Sequence, residues 1–201
     1  MTFERLAVDL DGAVATIALN RPDKANAIDH AMWHEIRAAM RWLDETPAAR
    51  VGVIRGAGKQ FTAGIDLALL GAIQAQIADA CDGRAREKLR RLILDLQDTL
   101  TSIERCRKPV IAAIHGACIG GGVELAMACD IRFASRFSRF SVPPSKIGVL
   151  YGFGSTKRLV ELVGPGCAKD LLFSGRMFDA TEALAVGLVE RVYALEDIVA
   201  M

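Results

Sequence analysis

Charge of one sign is what this 201-residue chain lacks: 25 Lys and Arg stand against 24 Asp and Glu, a formal net of +1. That balance argues against a nucleic-acid-binding surface, which normally carries a strong basic excess. The basic run Arg84, Arg86, Lys88, Arg90 and Arg91 is interleaved with Glu87 and reads as a solvated helix face. The five cysteines, Cys81, Cys106, Cys118, Cys129 and Cys167, form no CxxC or Cys/His metal pattern. They read as reduced thiols of a cytoplasmic protein. No apolar run has the length of a membrane span, and the amino terminus begins as a strand, with no signal-peptide pattern. GxGxxG is missing, which removes the usual dinucleotide loop. Ser155 lacks the GxSxG setting of a hydrolase nucleophile. His30 and His34 share a spacing of four without a third ligand, so no metal site is expected.

What is present is apolar: 52% of residues, with a mean hydropathy of +0.26. A single domain over 1–201 is expected, with apolar surface to spare for a subunit interface. A hairpin is expected around Asp11-Gly12, from strands at 3–9 and 14–19. A helix capped by Asp29 should bury Met32, Ile36, Met40 and Leu43. Val51–Ile54 and Val110–Ile114 read as buried strands, each followed by a turn and a helix, a recurrence that points to an α/β wound sheet. A long helix over 84–105 should bury Leu89, Leu92, Ile93, Leu96 and Leu100. Further strands are expected at 130–134 and 139–142, and helices near 155–163, 166–173 and 180–186.

Two glycine-bearing segments carry the chemistry, Phe61-Thr62-Ala63-Gly64-Ile65-Asp66-Leu67 and His115-Gly116-Ala117-Cys118-Ile119-Gly120-Gly121-Gly122-Val123-Glu124. Each turns from an apolar strand into a helix and so presents bare backbone N–H groups. Two such donors brought together make an oxyanion hole, and glycine leaves a ligand oxygen room to reach them. The pair suggests chemistry on a carbonyl that becomes an enolate. Glu124 follows the second segment among Val123, Leu125, Ala126, Met127 and Ala128, so a buried carboxyl with a raised pKa is expected there.

These segments, with Leu19-Asn20-Arg21-Pro22-Asp23-Lys24-Ala25-Asn26-Ala27 and Cys129-Asp130-Ile131-Arg132, resemble the crotonase (enoyl-CoA hydratase/isomerase) superfamily, in register from about residue 3 to residue 193. The resemblance implies a ClpP/crotonase spiral of strand-strand-helix units, with the carboxy-terminal helical region short or missing. It implies an acyl-CoA thioester substrate, coenzyme A being part of the substrate and no separate cofactor needed. It also implies a homotrimer or a dimer of trimers. It places the oxyanion donors on Ile65 and Gly121 and the proton-transferring group on Glu124. Lys24, Ala25, Ala27, Ala63, Gly64, Asp66 and Leu67 fall on the coenzyme A path, with Arg21 as a further phosphate partner and Asp66 also able to cap a helix.

The chain departs from the pattern at two positions. Where hydratases of this type carry a second glutamate, it has Pro144, and where certain double-bond isomerases carry an acid, it has Gly152. The segment from Pro144 to Tyr151 is similar to that of methylmalonyl-CoA decarboxylase, which implies a chemical role for Tyr151; a packing role is the alternative. Ser145 and Lys146 are candidates for a polar acyl group. One-carboxylate chemistry is therefore expected over two-glutamate hydration. Tyr-assisted decarboxylation of a malonyl-type thioester, or acyl-CoA binding without turnover, are the alternatives.

Overall fold

The computed structural model describes residues 2–200; Met1 and Met201, the ends of the expected 1–201 domain, lie outside the described residues. The order is β1 (Leu6–Asp11), β2 (Val14–Leu19), α1 (His30–Glu45), β3 (Val51–Gly56), α2 (Leu67–Ile77), α3 (Asp82–Glu104), β4 (Val110–Ile114), β5 (Ala117–Ile119) and α4 (Gly121–Ala128). There follow β6 (Ile131–Ser135), β7 (Arg139–Ser141), α5 (Pro144–Ile147), α6 (Phe153–Ser174), β8 (Met177–Asp179), α7 (Ala180–Ala185), β9 (Arg191–Tyr193) and α8 (Leu195–Ala200). One sheet runs β1-β2-β3-β4-β6-β9 and a second runs β5-β7-β8.

Local chemistry explains the frame. Gly12 takes φ +56° in the turn between β1 and β2, which pair antiparallel from Leu6 opposite Leu19 to Asp11 opposite Val14. From β2 to β9 every pairing in the large sheet is parallel. Parallel strands are covered on both faces, so β4 reads as a continuous apolar run in which Val110, Ala112, Ala113 and Ile114 are fully buried. The Asp29 carboxylate accepts the Met32 N–H at 2.9 Å and caps α1, a contact of about 1 kcal/mol. Beyond it Met32, Trp33, Ile36, Ala39, Met40 and Leu43 are buried.

One expectation is corrected. The stripe on α3 is displaced: Leu92, Thr99, Leu100 and Ile103 are buried, whereas Ile93 is 44% exposed. The amino-terminal half of α3 is held in water by ion pairs, Arg84 and Lys88 with Asp79 and Arg90 and Arg91 with Glu87, whose carboxyl they hold down at about 2. The helices expected at 155–163 and 166–173 are both present within α6, which is interrupted where Gly164 takes φ 75°, ψ 161° ahead of Pro165. Those angles are not helical, so the first helix ends there and Pro165, which has no N–H to offer, opens the second at a position where none is needed.

The Cys129–Arg132 segment fastens the carboxy-terminal part of the fold. Arg132 is buried, donates to the carbonyls of Cys129 (2.8 Å) and Leu188 (2.9 Å), and pairs with Glu190. The cysteines are all unbridged; Cys118 and Cys129 are buried, and burial pushes the Cys129 thiol up to about 12.

Candidate active site

The two glycine segments meet. Phe61 N–H donates to the His115 carbonyl (2.7 Å), Thr62 N–H to Ala117 (2.9 Å), and Ile119 N–H returns to Thr62 (3.1 Å). On the other side the loop is tied to residues 25–28: Ala63 N–H donates to Ala25, Ile28 N–H to Gly64 and Asp66 N–H to Ile28, at 2.8–3.0 Å. The Gly64 N–H is taken by the Thr62 hydroxyl at 3.0 Å, and that hydroxyl donates to the Asn26 carbonyl at 2.6 Å. Every N–H around Ile65 is thus engaged, while that of Ile65 has no acceptor among the described residues.

The same holds at α4. Gly120 N–H donates to Ser141, and the Gly120 carbonyl accepts from Val123 and Glu124. The Gly121 N–H, at the first helical position, has no acceptor there and carries the positive end of the helix. Both donors face one space: a Cβ on Gly64 would stand 3.2 Å from Gly121 N, and a Cβ on Gly121 would stand 3.4 Å from Ile65 N. Gly64 could not be another residue without movement, because its φ is +91° and its Cβ would lie 2.4 Å from the Ile119 carbonyl.

Two cavities adjoin this space. One, of about 110 Å³, is lined by Ile65, Gly121 and Glu124 together with Trp33, Leu70, Pro144 and Tyr151. The other, of about 380 Å³, shares Ile65 and Gly121 and extends over Ala27, Ala63, Asp66 and Leu67. The donors therefore lie at the junction of a small apolar chamber and a wider groove. Of the remaining positions on the expected coenzyme A path, Lys24 is exposed, and Ala25 and Gly64 shape the loop through positive φ; none of the three lines the groove.

Glu124 stands in the small chamber, its Oε2 3.8 Å from the position of a Gly121 Cβ. Burial raises its carboxyl above the ordinary glutamate value; the Ser155 hydroxyl and the Arg158 cation pull the other way. A carboxyl raised in this way is a better acceptor for a substrate proton than an ordinary glutamate and can hand the same proton back. Tyr151 reaches the chamber too, but its hydroxyl donates to the Gly120 carbonyl at 3.0 Å, and burial pushes its pKa well up. It sits as a brace behind the second donor.

Several sequence candidates are otherwise engaged. Asp66 caps α2, accepting from Ala68 N–H at 3.0 Å, and pairs with Arg21 at 2.9 Å, contacts that lower its pKa. Arg21 is thereby spent, since it also donates to the Ala27 carbonyl and lies 3.5 Å from Asp29. Ser145 is exposed and donates to the Phe173 carbonyl, and the methylenes of Lys146 lie against Gly175, so neither faces the chamber. His115 holds the Gly58 carbonyl at 3.0 Å, and burial lowers its pKa.

Trp33 and Leu70 were not legible as site residues. Trp33 lies beside the Met32 and Ile36 stripe, where an aromatic looks like core, and Leu70 is a half-buried residue of α2. Asn26 was visible only as part of a motif. It is fully buried at φ 53°, accepts from Arg21 N–H, and donates to the Ala57 and Gln60 carbonyls at 2.8 Å each.

Residues 9–201 match the family described as Enoyl-CoA hydratase/isomerase. The chain is similar to the peroxisomal Delta(3,5)-Delta(2,4)-dienoyl-CoA isomerase of Arabidopsis thaliana, 42% identical over 193 residues, covering 96% of this chain and 69% of that one. It is 41% identical to the mitochondrial Delta(3,5)-Delta(2,4)-dienoyl-CoA isomerase of Mus musculus over 92% of this chain, and spans 57% of that relative's length. Among solved structures, an enoyl-CoA hydratase/carnithine racemase from Magnetospirillum magneticum superposes with a TM-score of 0.89 at 34% identity, covering 99% of this chain and 72% of that chain.

Proposed function

Because the chain belongs to the enoyl-CoA hydratase/isomerase family, we propose that it acts on an acyl-CoA thioester by shifting a double bond through an enolate, with Glu124 as the proton carrier. The thioester oxygen lies between the N–H groups of Ile65 and Gly121, the acyl chain enters the apolar chamber, and the coenzyme A arm follows the groove over Ala27, Ala63 and Leu67. Glu124 takes a proton from one carbon, the electron pair moves through the conjugated system onto the thioester oxygen, and the same carboxyl returns the proton to another carbon. Atoms balance without water. Each oxyanion donor contributes about 3 kcal/mol to lowering the barrier.

The observation that supports this reading over hydration is the lining of the chamber, in which Glu124 is the one carboxyl group. Hydration needs a second group to handle water, and the chain places Pro144 on that wall. The names of the plant and mouse relatives point to isomerisation as well. The test is to follow conjugation of a 3-enoyl-CoA and a 3,5-dienoyl-CoA by absorbance beside hydration of crotonyl-CoA. Hydration outpacing both isomerisations would overturn the proposal.

A closed homo-oligomer is part of the same reading. Leu150, on the lining of the chamber, is 94% exposed, and Phe153, at the start of α6, is 85% exposed, large apolar side chains that a subunit interface would cover. A monomeric mass in light scattering at micromolar concentration would remove this part.

A further inference from the structure

Ser155 is 4% exposed on the first turn of α6, and its hydroxyl stands close enough to the Glu124 carboxyl on α4 for the two to interact. Buried hydroxyls ordinarily find a partner, because leaving one dry is costly. The Ser155 hydroxyl is bonded to no other group among the described residues. Everything else polar around Glu124 is committed or closed off. The Tyr151 hydroxyl is given to the Gly120 carbonyl, and Arg158 is held by Glu104, its Nε 3.0 Å from Oε1. The Trp33 Nε1–H is unpaired but has no accessible surface. The setting of Ser155 also favours negative charge. Its helix begins at Gly152, which has no side chain to cap it, and the N–H groups of Phe153, Gly154 and Ser155 have no acceptor among the described residues.

We propose that Ser155 is the positioning residue of Glu124: its hydroxyl donates to one oxygen of the ionised carboxylate and so holds the other toward the acyl chain in the chamber. This rests on the reading of Glu124 as the proton carrier. A hydroxyl suits a group that must take up a proton and return it, because it carries one donor and two acceptor lone pairs. It donates while Glu124 is ionised, accepts from the carboxyl O–H once the substrate proton has arrived, and never changes charge itself. A free cation in its place would hold Glu124 ionised and oppose the first half of that cycle, which is why the engagement of Arg158 by Glu104 matters.

The full chain, labelled with ¹³C at its glutamate carboxyls, is titrated with pH by NMR as wild type, Ser155→Ala and Ser155→Thr, the Glu124 resonance being assigned by its loss in Glu124→Gln. Losing a donor to the charged form is expected to raise the Glu124 midpoint by about one pH unit in Ser155→Ala. Ser155→Thr keeps the hydroxyl and should return the midpoint to the wild-type value. Should the extra methyl of Thr prevent folding, Ser155→Gly takes its place, with the same rise as Ser155→Ala expected because both lose the hydroxyl. With a 3-enoyl-CoA, the pH at which kcat of Ser155→Ala reaches half its plateau should move up by the same interval while KM holds. A midpoint that is unchanged or lowered in Ser155→Ala, that differs between Ser155→Ala and Ser155→Gly, or that rises equally in Ser155→Thr would overturn the assignment. If the midpoints move as expected and no thioester is turned over, the bond to Glu124 stands and the isomerase reading is what fails.

Discussion

The Tyr151 hydroxyl donates to the Gly120 carbonyl at 3.0 Å, so a residue of the segment leading into α6 braces the peptide that precedes the second oxyanion donor. The same carbonyl accepts from Val123 and Glu124 N–H groups, which keep the turn in place without the phenol. Tyr151→Phe is accordingly expected to cost about 1 kcal/mol of stability and to reduce turnover far less than loss of Glu124. Urea unfolding and steady-state kinetics check both. A loss confined to malonyl-type thioesters and as deep as that of Glu124→Gln would assign the phenol a chemical role instead.

Gly121→Ala separates folding from catalysis. The new methyl would meet Ile65 N at 3.4 Å and the Glu124 and Trp33 side chains at 3.8 Å, all ordinary contacts, so stability should change by less than about 0.5 kcal/mol. The methyl would occupy the space between the two donors, however, and turnover should fall by about 10²- to 10³-fold. Gly64→Ala is the contrast: at φ +91° and 2.4 Å from the Ile119 carbonyl it should lose about 2 kcal/mol as well as activity. Thermal melts beside kinetics distinguish the pair.

Glu124→Gln keeps the shape and removes the titrating proton, with an expected loss of about 10²- to 10⁴-fold in kcat. It should also reverse a stability cost. Burial raises the Glu124 carboxyl in the folded state, so the wild-type group is favourable only while protonated, and that contribution is lost as pH rises through the folded pKa. The melting temperature of the variant minus that of the wild type should be near zero in acid and grow positive toward neutral pH. A difference that falls with rising pH would show that the carboxylate is stabilised where it stands.

Arg132→Met should leave the carbonyls of Cys129 and Leu188 without their side-chain donor, and Glu190 with only the backbone N–H of residue 132, which donates to it at 2.6 Å. Glu190 retains 39% side-chain exposure, which places the cost at the low end for breaking a buried pair, about 3 kcal/mol. The urea midpoint reports it. A shift under a third of that would mean that water replaces the guanidinium readily.

Elements whose determinants are local were legible in the sequence. Asp29 ahead of the Met32, Ile36, Met40 and Leu43 stripe names α1 without reference to anything distant, and Val110–Ile114 can be little other than a buried strand. The short strands β5, β8 and β9, three residues each, carry too little periodicity to be seen; they exist because a partner strand accepts their backbone bonds. Ile93 was assigned to the wrong face because helical spacing says which residues share a stripe, not where the neighbouring helix stops.

The candidate site divides along the same line. Local composition alone placed two glycine turns and a glutamate where bare N–H groups and a carboxyl belong, since glycine conformation and helix termini are properties of a few consecutive residues. Only the tertiary structure decided that these turns face one space, that Arg21 and Asp66 satisfy each other, that the Tyr151 hydroxyl is occupied, and that the Trp33 indole is not. Each of those facts depends on which groups from distant segments become neighbours. Hydrogen-bond satisfaction is set by those neighbours, whereas the sequence records only the groups that need satisfying.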